Sequence, residues 1–149
     1  HPADGSACLV IASPEKADQL SSNKDITVYI RGFGMSRSKN GYMPEAPVPA
    51  ANKALKAAGL NLDNIDAIKT HNPFAVNDIY FVKQTNYDSR KMNNYGCSLI
   101  HGHPHAPVGV RGIIELIEEL TIRGGGFGLF TGCAAGDTGL AAIIEVKDR

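Results

Sequence analysis

The feature that most constrains the fold is an alternation of strand-like and helix-like segments that ends in two strands in succession. Short apolar or alternating runs, which are typical of strands, are followed by segments with helical periodicity. The last two strands, 127–133 and 138–146, are joined only by Ala134-Ala135-Gly136-Asp137. This order predicts an α/β fold, with a mainly parallel sheet, an antiparallel edge and helices on its faces.

Local signals place the individual elements. The predicted strands are 6–12, 26–31, 66–70, 127–133 and 138–146, and the predicted helices are 14–20, 49–58, 75–85 and 107–122. Ser13-Pro14-Glu15 has the composition of a helix start, and Gly59 that of a helix end. The Gly- and Pro-rich segments 32–49 and 86–105 are predicted to be long loops, which are often functional.

The longest predicted helix, 107–122, is amphipathic. Its buried stripe is expected to contain isoleucines and a leucine (Ile113, Ile114, Ile117 and Leu120), and its glutamates are expected to face solvent (Glu115, Glu118 and Glu119). The run Gly124-Gly125-Gly126 ends this helix and precedes a strand rather than a helix. It is therefore interpreted as a turn and not as a phosphate-binding loop.

Composition excludes several classes of protein. The chain has 149 residues, of which 43% are hydrophobic, and its formal net charge is zero, so it can form a core and nucleic-acid binding is disfavoured. No apolar run approaches the ~20 residues that a membrane span requires. The three cysteines, Cys8, Cys97 and Cys133, are odd in number and widely spaced, which indicates neither a disulfide framework nor a zinc ribbon. A reducing, cytoplasmic location is expected.

The first residues predict that this chain is part of something longer. It opens with His1-Pro2-Ala3-Asp4-Gly5, without Met, and continues directly into the apolar run 6–12. We expect a C-terminal piece that arises by cleavage, processing or a split gene.

Three segments could carry chemistry. Gly102-His103-Pro104 stands just before a helix, whose positive end favours a neutral imidazole that can act as a base. Cys133 ends an apolar strand at a tight connection, and His71-Asn72-Pro73-Phe74 lies between a strand and a helix, where its side chains could orient a water or an oxyanion. Each segment also has a purely structural interpretation: a loop histidine, a buried cysteine and a helix cap.

A metal site is a weaker alternative. His101, His103 and His105 alternate, and they could be combined with Cys97 or Cys133. Zinc needs three or four converging ligands, however, and the prolines at 104 and 107 stiffen this loop. No metal is predicted.

Taken together, these segments resemble the N-E-A-F, G-H-P and C-x-G motifs of the thiolase family, in the family's order. Supporting matches are Asp4-Gly5-Ser6-Ala7, Ala46-Pro47-Val48-Pro49-Ala50, Asn94 to Gly96, and Gly128-Leu129. The resemblance covers about Asp4 to Val146. It implies the thiolase fold, with a C-terminal half-domain (residues 25–149) that contains a five-stranded mixed sheet between helices. Residues 1–24 would then be the last strand and helix of the N-terminal domain.

The resemblance also implies a function. Thiolases join or split acyl-CoA thioesters by a reversible Claisen reaction, using two cysteines and no cofactor besides coenzyme A thioesters. The acylated cysteine lies in the N-terminal half, so a partner chain or fragment would supply it, and dimers or tetramers of complete units are expected. His103 would activate that cysteine and bind a thioester oxygen, and Cys133 would be the acid/base.

The remaining roles also follow from the resemblance. His71 would hold a water of one oxyanion hole, the N–H of Ala135 would donate to the other, and Asn72 and Phe74 would line the substrate site. The chain departs from the family at several positions: His71 and Asn72 replace Asn and an acid, and His101 and His105 replace apolar residues. Pro73 leaves Cys133 as the only candidate base.

Two other functions are weighed against an active acyltransferase. One is a thiolase-like interaction subunit without chemistry, and the unusual first motif keeps this open. The other is a decarboxylating condensing enzyme on a related fold, which Cys133 argues against because those enzymes usually have His or Asn there.

Overall fold

The computed structural model describes residues 1–148 as nine helices and strands with three short 3₁₀ turns. The helices are α1 (Pro14–Leu20), α2 (Pro47–Ala58), α3 (Ala75–Thr85), α4 (Ser98–His101) and α5 (Val108–Ile122). The strands are β1 (Ile26–Arg37), β2 (Ala67–His71), β3 (Gly126–Ala134) and β4 (Thr138–Asp148). Arg149, the end of the predicted unit 25–149, lies outside the described residues.

The described strands form one mixed sheet in the order β1-β4-β3-β2. β4 runs antiparallel to both β1 and β3, while β3 and β2 are parallel. The prediction of a mixed sheet is confirmed, but the expected five strands are four. On the outer side of β2, opposite to β3, the described residues add one isolated β-bridge, between Met92 and Ile68. The N–H of Asn93 donates to the Ile68 carbonyl there over 2.9 Å. The next position of the sheet is therefore occupied without a strand forming.

Helices cover both faces of the sheet, as predicted. On one face, α2 and α3 bury a cluster that includes Ala50, Ala54, Phe81, Ile68, Leu129 and Ile143. On the other face, α5 buries a cluster that includes Leu116, Leu120, Phe130, Ile144 and Val146. Neighbouring β4 residues alternate between the two clusters, because successive side chains of a strand point to opposite faces.

The predicted loop from Gly32 to Pro49 is wrong in its first part, because β1 continues to Arg37. A Cβ on Gly32 would lie 2.4 Å from the Ala54 carbonyl oxygen, and one on Gly34 would lie 2.1 Å from that of Ala50. These glycines allow the backbone of α2 to lie directly on the strand. They mark close packing of a helix against a strand rather than a turn.

The predicted strand 6–12 is also wrong for the described chain. Its residues form no strand, and Val10 and Ile11 are each 78% exposed. A strand needs a hydrogen-bonded neighbour, and within residues 1–148 no other segment lies beside this one as a strand. The predicted division of the chain at residue 24 stays a prediction.

One face of α5 was predicted wrongly. Glu119 is only 3% exposed, whereas the sequence pattern predicted it to face solvent. Its Oε1 accepts hydrogen bonds from Asn94 (2.6 Å) and Arg123 (2.7 Å). The burial is possible because the carboxylate is paired with the Arg123 guanidinium and also accepts from the Asn94 amide. Between residues 1 and 148, no helix is both long and apolar enough to cross a membrane.

Candidate active site

Two of the three predicted motifs are in contact at the carboxyl end of β2, and the third lies on the neighbouring strand. The Cys133 side chain leaves that strand on the face of α3, opposite to His71, because successive strand residues alternate. His71 is the last residue of β2 and pairs in register with Gly132 of β3, and Cys133 follows directly. Because β2 and β3 are parallel, their carboxyl ends meet at the same edge. A Cβ on Gly132 would come within 2.7 Å of the His71 Cβ, so the glycine leaves room for the histidine beside the cysteine strand.

His103 reaches this edge from the loop that precedes α5. The centroids of the His71 and His103 rings are 4.6 Å apart, and the planes are tilted by 45°. The backbone N–H of His103 donates to the His1 carbonyl over 2.8 Å, which ties the loop to the leading segment. His71 therefore lies between His103 and the Cys133 strand: its ring contacts the His103 ring, and its strand β2 pairs with β3.

His71 is a buried and neutral imidazole. It is 7% exposed, and its Nδ1 lies 3.3 Å from the Ser98 hydroxyl. Burial, followed by the positive charges of His103 and His105, lowers its pKa from 6.5 to about 4. At neutral pH the ring can therefore orient a polar group or a water, but it carries no charge.

His103 has a defined tautomer in this arrangement. The backbone N–H of His105 donates to its Nδ1 over 3.2 Å, so the neutral ring carries its proton on Nε2. Burial and the charges of His105 and the amino terminus lower the pKa of His103. The ring is thus favoured in the neutral form, with one N–H available for donation.

Cys133 is a buried thiol with one specific partner. The side-chain amide of Asn77, in the first turn of α3, donates to its sulfur over 3.4 Å. Burial raises the pKa of Cys133, and the Asn77 hydrogen bond partly offsets this. The resting form is therefore the thiol, and a thiolate formed here would be a strong base.

Asn72 and Phe74 lie differently from each other. Asn72 is fully buried: its amide group donates to Asp78, and its oxygen accepts from the Ser98 N–H over 3.1 Å. Phe74 is 57% exposed at the start of α3, and its N–H donates to the Asn77 oxygen over 3.3 Å. Asn72 holds the α3 and α4 regions together, whereas the ring of Phe74 is free to meet a ligand.

Ala135 lies in the exposed hairpin between β3 and β4. The left-handed residues of this turn are Gly136 and Asp137, with φ of 78° and 59°, and the φ of Ala135 is not positive. Asp137 fastens the hairpin to the chain beyond β1: its carbonyl accepts from the Ser38 N–H over 2.8 Å, and its carboxylate accepts from the Gly41 N–H over 3.1 Å. The turn that contains Ala135 is therefore fixed by the hydrogen bonds of Asp137 to Ser38 and Gly41.

Within residues 1–148, no group of three or more His, Cys, Asp or Glu side chains is placed to hold a metal ion. The alternating histidines of the loop instead stack on one another, since the His103 and His105 ring centroids are 4.3 Å apart.

Comparison with known proteins decides the family. The family model described as "Thiolase, C-terminal domain" matches residues 24–146, which is most of the chain. The chain belongs to the thiolase family.

Curated thiolases support the same assignment. The chain is 34% identical over 142 residues to the acetyl-CoA acetyltransferase of Escherichia coli, a match that covers 95% of this chain and 36% of that protein. It is 35% identical over 162 residues to a 3-ketoacyl-CoA thiolase of Aliivibrio fischeri (97% and 36%). It is also 34% identical over 142 residues to the mitochondrial 3-ketoacyl-CoA thiolase of Bos taurus (95% and 35%).

Solved structures confirm the thiolase fold. The acetyl-CoA acetyltransferase of Bacillus anthracis superposes with a TM-score of 0.80 at 29% identity, covering 89% of this chain and 33% of that one. The human mitochondrial 3-ketoacyl-CoA thiolase superposes with a TM-score of 0.75 at 34% identity, covering 78% and 29%. The chain thus spans about a third of the length of these thiolases.

Sequence reasoning missed several residues that support the thiolase motifs. Asn77 contacts Cys133, Ser98 contacts His71, and Asp78 accepts from both Thr70 (2.6 Å) and Asn72. Asn77 lies only three residues after Phe74, so an unusual polar residue in the first turn of α3 was the available signal. Ser98 gave no signal, because its role arises from a contact made 27 residues along the chain.

Proposed function

We propose that this chain is the C-terminal part of a thiolase that catalyses reversible Claisen condensation and thiolysis of acyl-CoA. It would act as an acetyl-CoA acetyltransferase or a 3-ketoacyl-CoA thiolase, together with an N-terminal chain or fragment that carries the nucleophilic cysteine. The observation that supports the proposal is the contact between the His71 and His103 rings at the carboxyl end of β2, with Cys133 one residue beyond the β3 partner of His71.

In the first half of the reaction, the partner's thiolate attacks the carbonyl carbon of an acyl-CoA. The C–S bond to coenzyme A breaks, and coenzyme A leaves as its thiol after taking the proton of Cys133, which becomes a thiolate. His103 favours the partner's thiolate, because a neutral ring with its proton on Nε2 can donate to sulfur. The same N–H then suits the oxygen of the second thioester.

In the second half, Cys133 takes a proton from the α-carbon of acetyl-CoA. The resulting enolate attacks the acyl-enzyme carbonyl, and the partner's thiolate is expelled as the new C–C bond forms. The raised pKa of Cys133 supports this role, because a thiolate of high pKa is the stronger base. The proton then returns from Cys133 in the next cycle or in thiolysis.

Both steps create negative charge on a thioester oxygen, and hydrogen-bond donors aimed at it are the main stabiliser. We assign one oxyanion site to His103 and a water held by His71, and the other to the backbone N–H of Ala135. The exposed ring of Phe74 would contact the substrate. Asn72 would hold the start of α4 in place through its hydrogen bond from the Ser98 N–H. This chemistry uses proton transfers and hydrogen bonds, so we propose no resident cofactor.

An apolar surface supports the need for a partner. On β1, Ile30 pairs with Ile144 and Phe33 with Ala142, so these β1 side chains share the sheet face on which α5 packs. They are nevertheless exposed: Val28 37%, Ile30 56%, Phe33 55% and Met35 61%. A contiguous apolar patch of this kind is typical of an interaction surface. We propose that the N-terminal half covers it, and that complete units form dimers or tetramers.

The cysteines bear on location. Cys8, Cys97 and Cys133 are free, and the proposed reaction requires a free thiol at Cys133. We therefore propose that the enzyme works in the reducing environment of the cytoplasm.

The test is reassembly with an N-terminal thiolase half, followed by substitution of the proposed base. In Cys133→Ala, acetyl-CoA should still acylate the partner chain, which intact mass would show. Condensation should fall by at least about 10²-fold, because a general acid/base is lost. Condensation at the unmodified rate in this variant would show that Cys133 is not the base.

Cys8→Ala is the matched control. Cys8 is exposed, and its thiol donates a hydrogen bond to the carbonyl of the neighbouring Leu9. It should retain both acylation and condensation. If no acyl adduct forms on the partner even with the unmodified chain, the chain is instead a non-catalytic thiolase-like subunit.

A further inference from the structure

His105 makes two different contacts to the imidazole of His103. Its own ring stacks on that of His103, with centroids 4.3 Å apart and planes at 29°. Its backbone N–H donates to His103 Nδ1 over 3.2 Å. One residue therefore holds the His103 ring by its face and by its edge.

The backbone of His105 makes this double contact possible. Its φ is 61°, in the left-handed region that side chains with a Cβ rarely adopt. The other described non-glycine residues with positive φ are Asn86, Asn93 and Asp137, the residue types best suited to that region. A backbone requirement alone would be met by Asn or Gly at position 105. The ring is what histidine adds.

We infer that His105 is a positioning residue for His103 in the proposed thiolase reaction. The stacked ring fixes the plane of the His103 imidazole, and the backbone N–H fixes which nitrogen carries the proton. His103 then presents Nε2–H in one orientation before the substrate arrives. Donors held in this way need no reorganisation when charge develops on the thioester oxygen. The inference rests on the proposed function for its chemical meaning.

The charges around His103 also favour its neutral form. Two titratable side chains contact the His103 ring: His71 from β2 and His105 from the same loop. Both are bases, so each opposes protonation of His103 when it is charged. Burial together with the His105 charge favours the neutral ring that the proposed donor requires.

Two variants separate the ring from the backbone. Asn fits the left-handed region but has no ring, so His105→Asn preserves the loop and removes the stack. Phe fits that region less well but keeps a stacked aromatic ring in His105→Phe. If residue 105 serves only the backbone, Asn should be the better replacement. If it positions His103, Phe should be the better one.

The first measurement uses the 149-residue chain with ¹⁵N-labelled histidines. Both variants keep the backbone N–H at position 105, so the Nε2–H tautomer of His103 should persist in both. The His103 ring signals should report one fixed orientation in His105→Phe and averaging over several orientations in His105→Asn. In the reassembled enzyme, kcat should fall about tenfold in His105→Asn and stay close to that of the unmodified enzyme in His105→Phe.

The inference is overturned if the His103 ring keeps one orientation in His105→Asn and loses it in His105→Phe, or if kcat falls further in His105→Phe than in His105→Asn. Its failure differs from that of the proposed function. An assembly without acyl transfer would remove the thiolase proposal, while the expected nitrogen spectra would still support the positioning of His103 by His105.

Discussion

The side-chain amide of Asn77 donates a hydrogen bond to the sulfur of Cys133 over 3.4 Å. The two residues are 56 positions apart and meet because the first turn of α3 lies beside the end of β3. A donor to sulfur favours the thiolate, whereas burial favours the thiol, and burial has the larger effect on the pKa of Cys133. Asn77 therefore moderates how strongly this thiol resists ionisation.

Removal of the amide should make the thiol harder to ionise. In Asn77→Ala, we expect the pKa of Cys133 to rise further and its alkylation rate at mildly alkaline pH to fall by roughly threefold to tenfold. The pH dependence of iodoacetamide labelling, read by peptide mass, measures this. The exposed Cys8 in the same sample is the control and should react unchanged. Equal rates for Cys133 in both chains would contradict the prediction.

Stability should fall in acid because of His71. Its pKa is about 4 in the folded chain and 6.5 ordinarily, so the unfolded chain takes up a proton first as the pH falls. The contribution of His71 to the free energy of unfolding is fully present above pH 6.5 and is lost as the pH falls toward 4. Between about pH 7.5 and about pH 5, the free energy of unfolding should lose about 2 kcal/mol from this source.

Urea unfolding at the two pH values tests this prediction. His71→Asn should lose that part of the pH dependence, and His101→Asn, at an exposed histidine, should keep it. The same acid dependence in the His71→Asn variant would assign the effect to other groups.

The contact between β1 and α2 should tolerate no side chain at Gly34. A Cβ there would lie 2.1 Å from the Ala50 carbonyl oxygen, so Gly34→Ala should lower the free energy of unfolding by about 1–3 kcal/mol. Gly109→Ala is the control, because its Cβ would meet only the Phe130 ring at 3.8 Å. Since Gly109 lies in α5, alanine should stabilise there by about 0.5–1 kcal/mol. Chemical denaturation of both variants measures the contrast, and equal shifts would refute it.

Glu119 and Glu118 are adjacent on α5 but should respond differently to the same change. Glu119 is buried and accepts from Asn94 and Arg123, so loss of its charge in Glu119→Gln should cost about 1–3 kcal/mol of stability. Glu118 is exposed, and Glu118→Gln should change stability by less than about 0.5 kcal/mol. Thermal or urea unfolding compares them. Indistinguishable variants would mean that the buried pair adds no stability.

Much of the fold could be predicted because its signals are local. Gly59 ends α2 with a φ of 70°, and α1 and α3 begin and end where the sequence indicated. Predictions failed where a tertiary contact decides. Gly32 looks like a loop residue until α2 lies on it, and Glu119 looks solvated until Asn94 and Arg123 meet it.

The site divides in the same way. His71, His103 and Cys133 could be named because each lies at or near the end of a regular element, and the structure brings the first two into contact. Asn77 and Ser98 could not be named, since their importance comes only from what lies across the fold. His105 was noticed as a departure from the family pattern, but its stack on His103 required coordinates.

The hydrogen bonds that anchor the β3–β4 hairpin identify a position from which its conformation can be changed. Ser38 donates to the Asp137 carbonyl with its hydroxyl as well as its N–H, across 99 positions of sequence. Substitution there would shift the loop that follows Cys133 and leave the thiol's own neighbours in place. Position 38 therefore allows the turn of residues 135–137 to be altered without a substitution beside Cys133.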